Sequence, residues 1–279
     1  MKIKYNAAAI KQVIIANLRP NEYLLINISK SKEPNDFSSV EFENNCQVSL
    51  FENDILLETL PFVLKDTLSG FGYYTSTIKL SPNKVYRIVS SSATLGTAEA
   101  SEYLPPIPNA LGFLIQHADS NRQNTIGKYG ILIQDSAAYS NYYFVRAFYK
   151  VLKPVSDSIG NITYKYDYIN NIPSSSADIP NPADYPLSFF TDQGFDGQTK
   201  SATFDFASQY NNLYKEIIFI IEVSNTGKNF YEWNTQKINY GIDFLNEGQQ
   251  ERSNLKSNII NGYGHFTANS SSYFPIIIK

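Results

Sequence analysis

The sequence is poor in cysteine and in charge, and it lacks long apolar runs. The single cysteine, Cys46, excludes an intrachain disulfide, and the alternating stretch CQVSLFEN predicts a small buried side chain rather than a catalytic thiol. Charged residues make up 18% of the chain and its net charge is −3, which excludes the basic surface of a nucleic-acid-binding protein. No apolar run approaches the twenty residues of a membrane-spanning helix.

Motifs of known catalytic machinery are also missing. The sequence contains no Gly-x-Ser-x-Gly elbow, no phosphate-binding loop with its lysine and no dinucleotide fingerprint. The two histidines, His117 and His265, have no set of ligands at metal spacing apart from Asp119. We therefore predict no enzyme activity, no catalytic residue, no cofactor and no metal. A hydrolase with two carboxylates stays open, because their separation in space is invisible in a sequence.

Aromatic residues are abundant, with 21 tyrosines and 18 phenylalanines, and they favour half-buried sheet surfaces. Residues 1–104 contain short alternating strands around three turn signals, at residues 19–21 (RPN), 52–54 (END) and 81–83 (SPN). Such spacing predicts a mainly β protein that begins with an immunoglobulin-like β-sandwich.

A proline-rich stretch, PPIP at residues 105–108, marks the predicted domain junction. Residues 105–279 are predicted to form a second β domain, an antiparallel barrel or sandwich. NYYFVRAFYKVL and KEIIFIIEVS carry bulky side chains on both faces and are predicted to be covered on both sides. A short helix is predicted within residues 241–259, and NFYEW at 229–233 is predicted to be a strand or turn.

Residues 170–198 contain four prolines and are predicted to form a long surface loop. Together with residues 118–127, they form the predicted contact region. Within TDQGFDG the aspartates are predicted to form Asx turns, with calcium binding as the alternative. The candidate binding residues are Asp184, Tyr185, Phe189, Phe190, Asp192, Phe195 and Asp196.

SNIINGYGHF, residues 257–266, is interpreted as a structural turn after the helix. Gly262 is predicted to take a positive φ, and Ile259 and Phe266 are predicted to anchor in the core. The stretch resembles the motif Ser-Asn-Ile-x-Asn-Gly-x-Gly-x-Phe of a family of Bacteroidota outer-membrane lipoproteins, catalogued as a domain of unknown function. The matching residues are Ser257, Asn258, Ile259, Asn261, Gly262, Gly264 and Phe266.

The resemblance extends weakly over most of the chain, through stretches such as VSLFEND and FFTDQGFDGQT. It implies a lipid-anchored outer-membrane protein, attached through an N-terminal cysteine that this sequence does not contain, and a partnership with a TonB-dependent outer-membrane receptor. We therefore expect the soluble part of a binding accessory to a TonB-dependent transporter. A stand-alone carbohydrate-binding or adhesin module is the alternative, and exposed aromatic side chains would serve either role.

Overall fold

The structure is a computed structural model, and it describes residues 9–33, 36, 38–116, 126–156, 161–172, 187–207, 214–239 and 256–278. Strands hold 64% of these residues and helix only 5%, which confirms the mainly β class. In chain order the elements are β1 (Gln12–Leu18), β2 (Tyr23–Lys30), β3 (Gln47–Glu52), β4 (Ile55–Leu60), β5 (Phe62–Leu64), β6 (Gly72–Lys79), β7 (Lys84–Ser92), β8 (Gly96–Leu104), β9 (Asn109–Gln116), β10 (Ile126–Gln134), β11 (Tyr142–Ser156), β12 (Ile162–Ile172), β13 (Leu187–Thr191), β14 (Thr199–Ala207), β15 (Glu216–Thr226), α1 (Lys228–Asn239) and β16 (Tyr263–Ile277).

The chain divides into two compact units. Unit 1 comprises Met1–Pro106 and Gly227–Ser270, and unit 2 comprises Ile107–Thr226 and Ser271–Lys279. The first division falls close to the predicted junction at residue 105. Gly227–Ser270, which we assigned to the second domain from sequence, instead group with unit 1, because β16 pairs in parallel with β1 over residues as distant in sequence as Val13 and Tyr263.

Unit 1 is a sandwich of two sheets with immunoglobulin-like strand order. One sheet runs β1-β2-β6-β5 and the other β4-β3-β7-β8, which correspond to the A-B-E-D and C′-C-F-G sheets of that fold. The core lies between them because alternate residues point inward. On β1, for example, Ile14, Ala16 and Leu18 are buried. Strand β16 extends the first sheet beyond β1.

The three predicted turns of unit 1 are confirmed. Asn21, Asn53 and Asn83 all adopt positive φ, a conformation that asparagine tolerates better than most residues. The third turn is braced by Tyr86 of β7. Its hydroxyl accepts a hydrogen bond from Ser81 N at 2.8 Å and donates to Ser81 O at 3.2 Å. This is the tyrosine corner of immunoglobulin-like domains, a feature not predicted from the sequence.

Unit 2 also consists of two sheets. In one sheet β11 pairs with β15 on one side and with β12 and β13 on the other, and the second runs β14-β10-β9. The two sheets share a core in which the rings of Phe206 on β14 and Phe219 on β15 stack with centroids 5.1 Å apart. Among the described residues neither sheet closes on itself, so of the two predicted alternatives the structure favours the sandwich.

One local prediction differs from the structure. Residues 229–233 lie inside α1 rather than in a strand or turn, with Trp233 buried. Of the helix predicted within residues 241–259, residues 241–255 lie outside the described residues.

Cys46 is half-buried, packs against the core of unit 1, and has its thiol pKa raised by burial, in line with its predicted inert role.

Candidate functional site

The 257–266 motif joins the two sheets of unit 1. Just before β16, Ile260 exchanges two backbone hydrogen bonds with Glu99 of β8, at 2.8 and 3.1 Å. A few residues later β16 pairs with β1, with Gly264 opposite Ile14. Since β8 and β1 belong to different sheets, the motif closes one side of the sandwich.

Inside the motif, Asn258 acts as a substitute strand partner. Its Nδ2 donates to Phe266 O at 2.6 Å and its Oδ1 accepts from Phe266 N at 2.9 Å. Ile259 and Phe266 are both buried in the unit 1 core, which confirms their predicted role as anchors. The motif therefore positions backbone and core rather than reactive groups.

The glycines of the motif work differently from the prediction. Gly262 does not take a positive φ; Asn261 (φ 59°) and Gly264 (φ 102°) do. Gly262 is needed for space, because a Cβ atom there would lie 2.8 Å from Ile259 Cγ2. A Cβ atom on Gly264 would collide with the carbonyl oxygen of Ile14, so only glycine lets β16 approach β1.

His265 lies beside a small polar cavity of about 60 Å³. Its ring packs on Trp233 of α1 with centroids 4.6 Å apart, and its buried Nδ1 has no hydrogen-bond partner among the described residues. Burial, helped by the nearby charge of Lys237, lowers the pKa of His265 to about 4, so the ring is neutral at pH 7. The cavity is lined by Asn229, Glu232, Trp233, Gln236, Lys256, Ser257, Asn258 and His265.

Glu102 of β8 is buried at the start of α1. One carboxylate oxygen accepts from Tyr103 N and the other from Asn229 N, each at 3.1 Å. Burial raises the pKa of Glu102 to about 7 against the lowering effect of these hydrogen bonds. A Cβ atom on Gly227 would lie 2.5 Å from the Glu102 carboxylate, so glycine permits this close approach.

The predicted contact loop is partly a core element. Phe189 and Phe190 belong to β13, which pairs with β11, and both are buried, as is Phe195 in the following turn. Phe190 stacks on Tyr143 with centroids 5.3 Å apart. These phenylalanines consequently do not form an exposed contact surface. Asp184 and Tyr185 lie outside the described residues, as do His117 and residues 118–125.

Asp192 and Asp196 come together with Asp135, and their carboxylates lie within 4.8 Å of one another. Carboxylates at such distances can hold a hard cation such as Ca²⁺. However, Asp135 accepts hydrogen bonds at both oxygens, from Tyr143 Oη and Asn141 Nδ2 at one and from Gly197 N at the other. Asp192 accepts from Asn141 N at 2.6 Å. The cluster thus fixes this turn through hydrogen bonds, and its geometry is also that of the alternative, a calcium site.

A row of tyrosines on β12 is the most prominent exposed aromatic feature of unit 2. Tyr164, Tyr166 and Tyr168 occupy alternate positions and share the face directed away from the core, with exposed fractions of 49, 50 and 64%. Neighbouring side chains on the same face lie about 7 Å apart along a strand. We call these three residues the tyrosine row.

The rings of the tyrosine row are held by neighbours. Lys215 Nζ lies 4.7 Å from the Tyr164 ring centroid and Lys150 Nζ lies 4.1 Å from that of Tyr166. The Tyr166 hydroxyl contacts both Glu216 carboxylate oxygens at 3.2 Å, whereas Tyr168 packs against Phe148. The strand is predicted from the sequence but its exposed aromatic face is not, although the alternation TYKYDYI is a visible signal.

The comparisons with known proteins do not place the chain in a family: no family model matches it, and no curated protein matches it. Within the described residues, no helix combines the length and the apolar character needed to cross a membrane.

Proposed function

We propose that this chain is a binding protein without enzymatic activity, the soluble part of an outer-membrane lipoprotein that assists a TonB-dependent transporter. The observation that carries the proposal is the tyrosine row, Tyr164, Tyr166 and Tyr168. Three half-exposed aromatic rings aligned on one strand cost solvation free energy that a partner surface can recover by covering them.

The support of the rings suits a contact surface. Tyrosine provides a large, partly apolar area with few rotatable bonds, and it is enriched among the residues that dominate binding energy. Lys150, Lys215 and Phe148 already limit the motion of the rings, so less conformational entropy is lost when a partner binds.

The outer-membrane and transporter parts of the proposal rest on the resemblance of residues 257–266. In unit 1 these residues serve the scaffold: Asn258 pairs with Phe266, and Gly264 allows contact with β1. A motif with such a structural role predicts that proteins which share it have the same fold, rather than the same reaction chemistry. A motif without reactive groups is in keeping with a binding protein.

The test is a pull-down from native outer membranes with the full-length lipidated protein as bait. We expect a TonB-dependent receptor to co-purify in near-equal amount and to be lost when Tyr164, Tyr166 and Tyr168 are all changed to threonine. A clean bait that recovers no receptor would overturn the transporter role.

The same tyrosines favour one alternative, a stand-alone carbohydrate-binding or adhesin module. Aromatic rings with polar tips are also the usual contacts to sugars. A glycan array separates the two functions, because retention of specific glycans by the isolated chain, dependent on the tyrosine row, would assign sugar binding without a receptor.

A further inference from the structure

Within the described part of the chain, β9 of unit 2 is an edge strand without the charged side chains that usually protect an edge. Of the edge strands of eight residues or more among the described residues, β8, β12 and β14 each carry charged side chains. β9, with the sequence NALGFLIQ, carries none. Charged side chains on an edge normally prevent another strand from adding to its free N–H and C=O groups. As far as the described ranges extend, no strand pairs with the outer edge of β9, and this edge can accept an added strand.

The exposed side of β9 is apolar along its length. Leu111, Phe113 and Ile115 share one face, with exposed fractions of 66, 41 and 47%. The ring of Phe113 lies directly over Gly130 of β10, so close that a Cβ atom on Gly130 would collide with it. The strand thus presents a flat apolar row that is continuous with the sheet β14-β10-β9.

We propose that β9 is a self-association site, at which β9 of a second copy of this chain pairs with it in antiparallel orientation across a two-fold axis. The apolar row of β9 is self-complementary. An isologous pairing centred on Phe113 places Phe113 opposite itself and Leu111 opposite Ile115 of the second copy, so every exposed apolar residue of the row meets another.

The alternative register, centred on Gly112, is poorer. It would place Gly112 opposite itself and Asn109 opposite Ile115, which leaves part of the apolar row against a polar side chain. If one β9 strand were shifted by a single residue relative to the other, the apolar face of one strand would lie beside the opposite face of the other. Only the Phe113-centred register matches all three apolar residues while also joining two three-stranded sheets into one.

The neutral character of β9 also fits a second copy. A strand without charge offers no complementarity to a charged partner segment, whereas a second β9 is equally neutral. One eight-residue strand pair is a small interface, so the dimer is expected to form in a concentration-dependent way.

The experiment combines sedimentation with cysteine cross-linking, in a Cys46→Ala background. Sedimentation of the unmodified chain should show a monomer–dimer equilibrium, and Phe113→Lys should shift it to monomer at all concentrations. Leu56→Lys is the matched control, because Leu56 is also an exposed apolar residue on an edge strand, β4, and should leave dimerisation unchanged.

Cross-linking tests the register. Phe113→Cys should form a disulfide-linked dimer under mild oxidation, whereas Leu111→Cys alone should not, because its copies would lie about 13 Å apart along the strands. A mixture of Leu111→Cys and Ile115→Cys chains should cross-link again. A chain that sediments as a monomer throughout, or that cross-links equally at residues 111 and 113, would overturn the proposal.

Discussion

Asn258 and Phe266 form a closed pair in which one side-chain amide satisfies both backbone groups of a fully buried residue, at 2.6 and 2.9 Å. A peptide strand would make the same two hydrogen bonds. The amide therefore replaces a missing strand partner at the point where the motif passes from its contact with β8 to its pairing with β1. This explains why an asparagine, rather than another small polar residue, stands at this place in the motif.

Replacing Asn258 by alanine should destabilise the protein by about 2 to 4 kcal/mol, because it leaves the N–H and C=O of Phe266 buried without partners. Asn258→Asp retains only the acceptor and should also destabilise. Asn109→Ala, which removes an exposed amide, is the control and should change stability by less than about 0.5 kcal/mol. Urea denaturation measures all three; equal effects of Asn258→Ala and Asn109→Ala would contradict this role.

Gly264→Ala should prevent folding or cost more than about 4 kcal/mol, since it combines positive φ with a collision against Ile14 O. Gly96→Ala separates the two causes. Gly96 also has positive φ, at 74°, but open space around its Cβ position, so its replacement should cost only about 1 kcal/mol. Thermal unfolding of both variants is the measurement, and a Gly264 variant as stable as the Gly96 variant would contradict the close approach.

Glu102 should make the protein less stable as pH rises. Its folded pKa is raised from 4.5 to about 7, so the folded protein binds more protons than the unfolded chain in that range. The contribution is present below pH 4.5 and is lost by pH 7, up to roughly 3 kcal/mol. Glu102→Gln should remove this slope, whereas Glu99→Gln on the same strand should keep it. Unfolding temperatures at pH 5 and 8 check the difference.

His265 should act in the opposite direction. Its folded pKa is lowered from 6.5 to about 4, so stability is lost as pH falls through this range, again by up to roughly 3 kcal/mol. His265→Leu should remove the loss and should not weaken the protein at pH 7, since it also removes the unpartnered Nδ1. A His265 variant with unchanged stability loss between pH 7 and 4.5 would contradict this assignment.

The two slopes overlap between pH 4.5 and 6.5 and have opposite signs. We therefore expect the unmodified protein to show a weak pH dependence there, and each single variant to expose the slope of the other group. In the double variant neither group contributes, so its free energy of unfolding should be nearly independent of pH in this window. Unfolding measured across this range in all four proteins provides the check.

The sequence was most informative where local chemistry determines structure. The Pro-Asn turns at residues 19–21 and 81–83 were predicted because proline and asparagine favour turn conformations wherever they stand. Strand β11 was predicted to be covered on both faces because both of its alternate sets of residues contain bulky side chains.

What the sequence did not reveal depends on distant partners. The parallel pairing of β16 with β1 joins residues some 250 positions apart, and nothing local marks it. The burial of Phe189 and Phe190 depends on pairing with β11, whereas their proline-rich setting suggested a surface loop. Because residues 170–198 are predicted to form a contact loop, their deletion should leave folding intact and abolish partner capture. They contain β13, however, so the deletion should instead disrupt folding.

The tyrosine row provides the most direct test of the binding account. The measurement is receptor recovery in the outer-membrane pull-down, compared between the unmodified protein, the threonine triple variant at Tyr164, Tyr166 and Tyr168, and Tyr23→Thr, a control at another half-exposed tyrosine. Threonine keeps the strand preference, so the triple variant should stay folded, with an unfolding temperature lowered only by the loss of the ring contacts to Lys150, Lys215 and Phe148. We predict loss of the receptor with the triple variant alone; full recovery of the receptor by that variant, shown to be folded, would contradict the account.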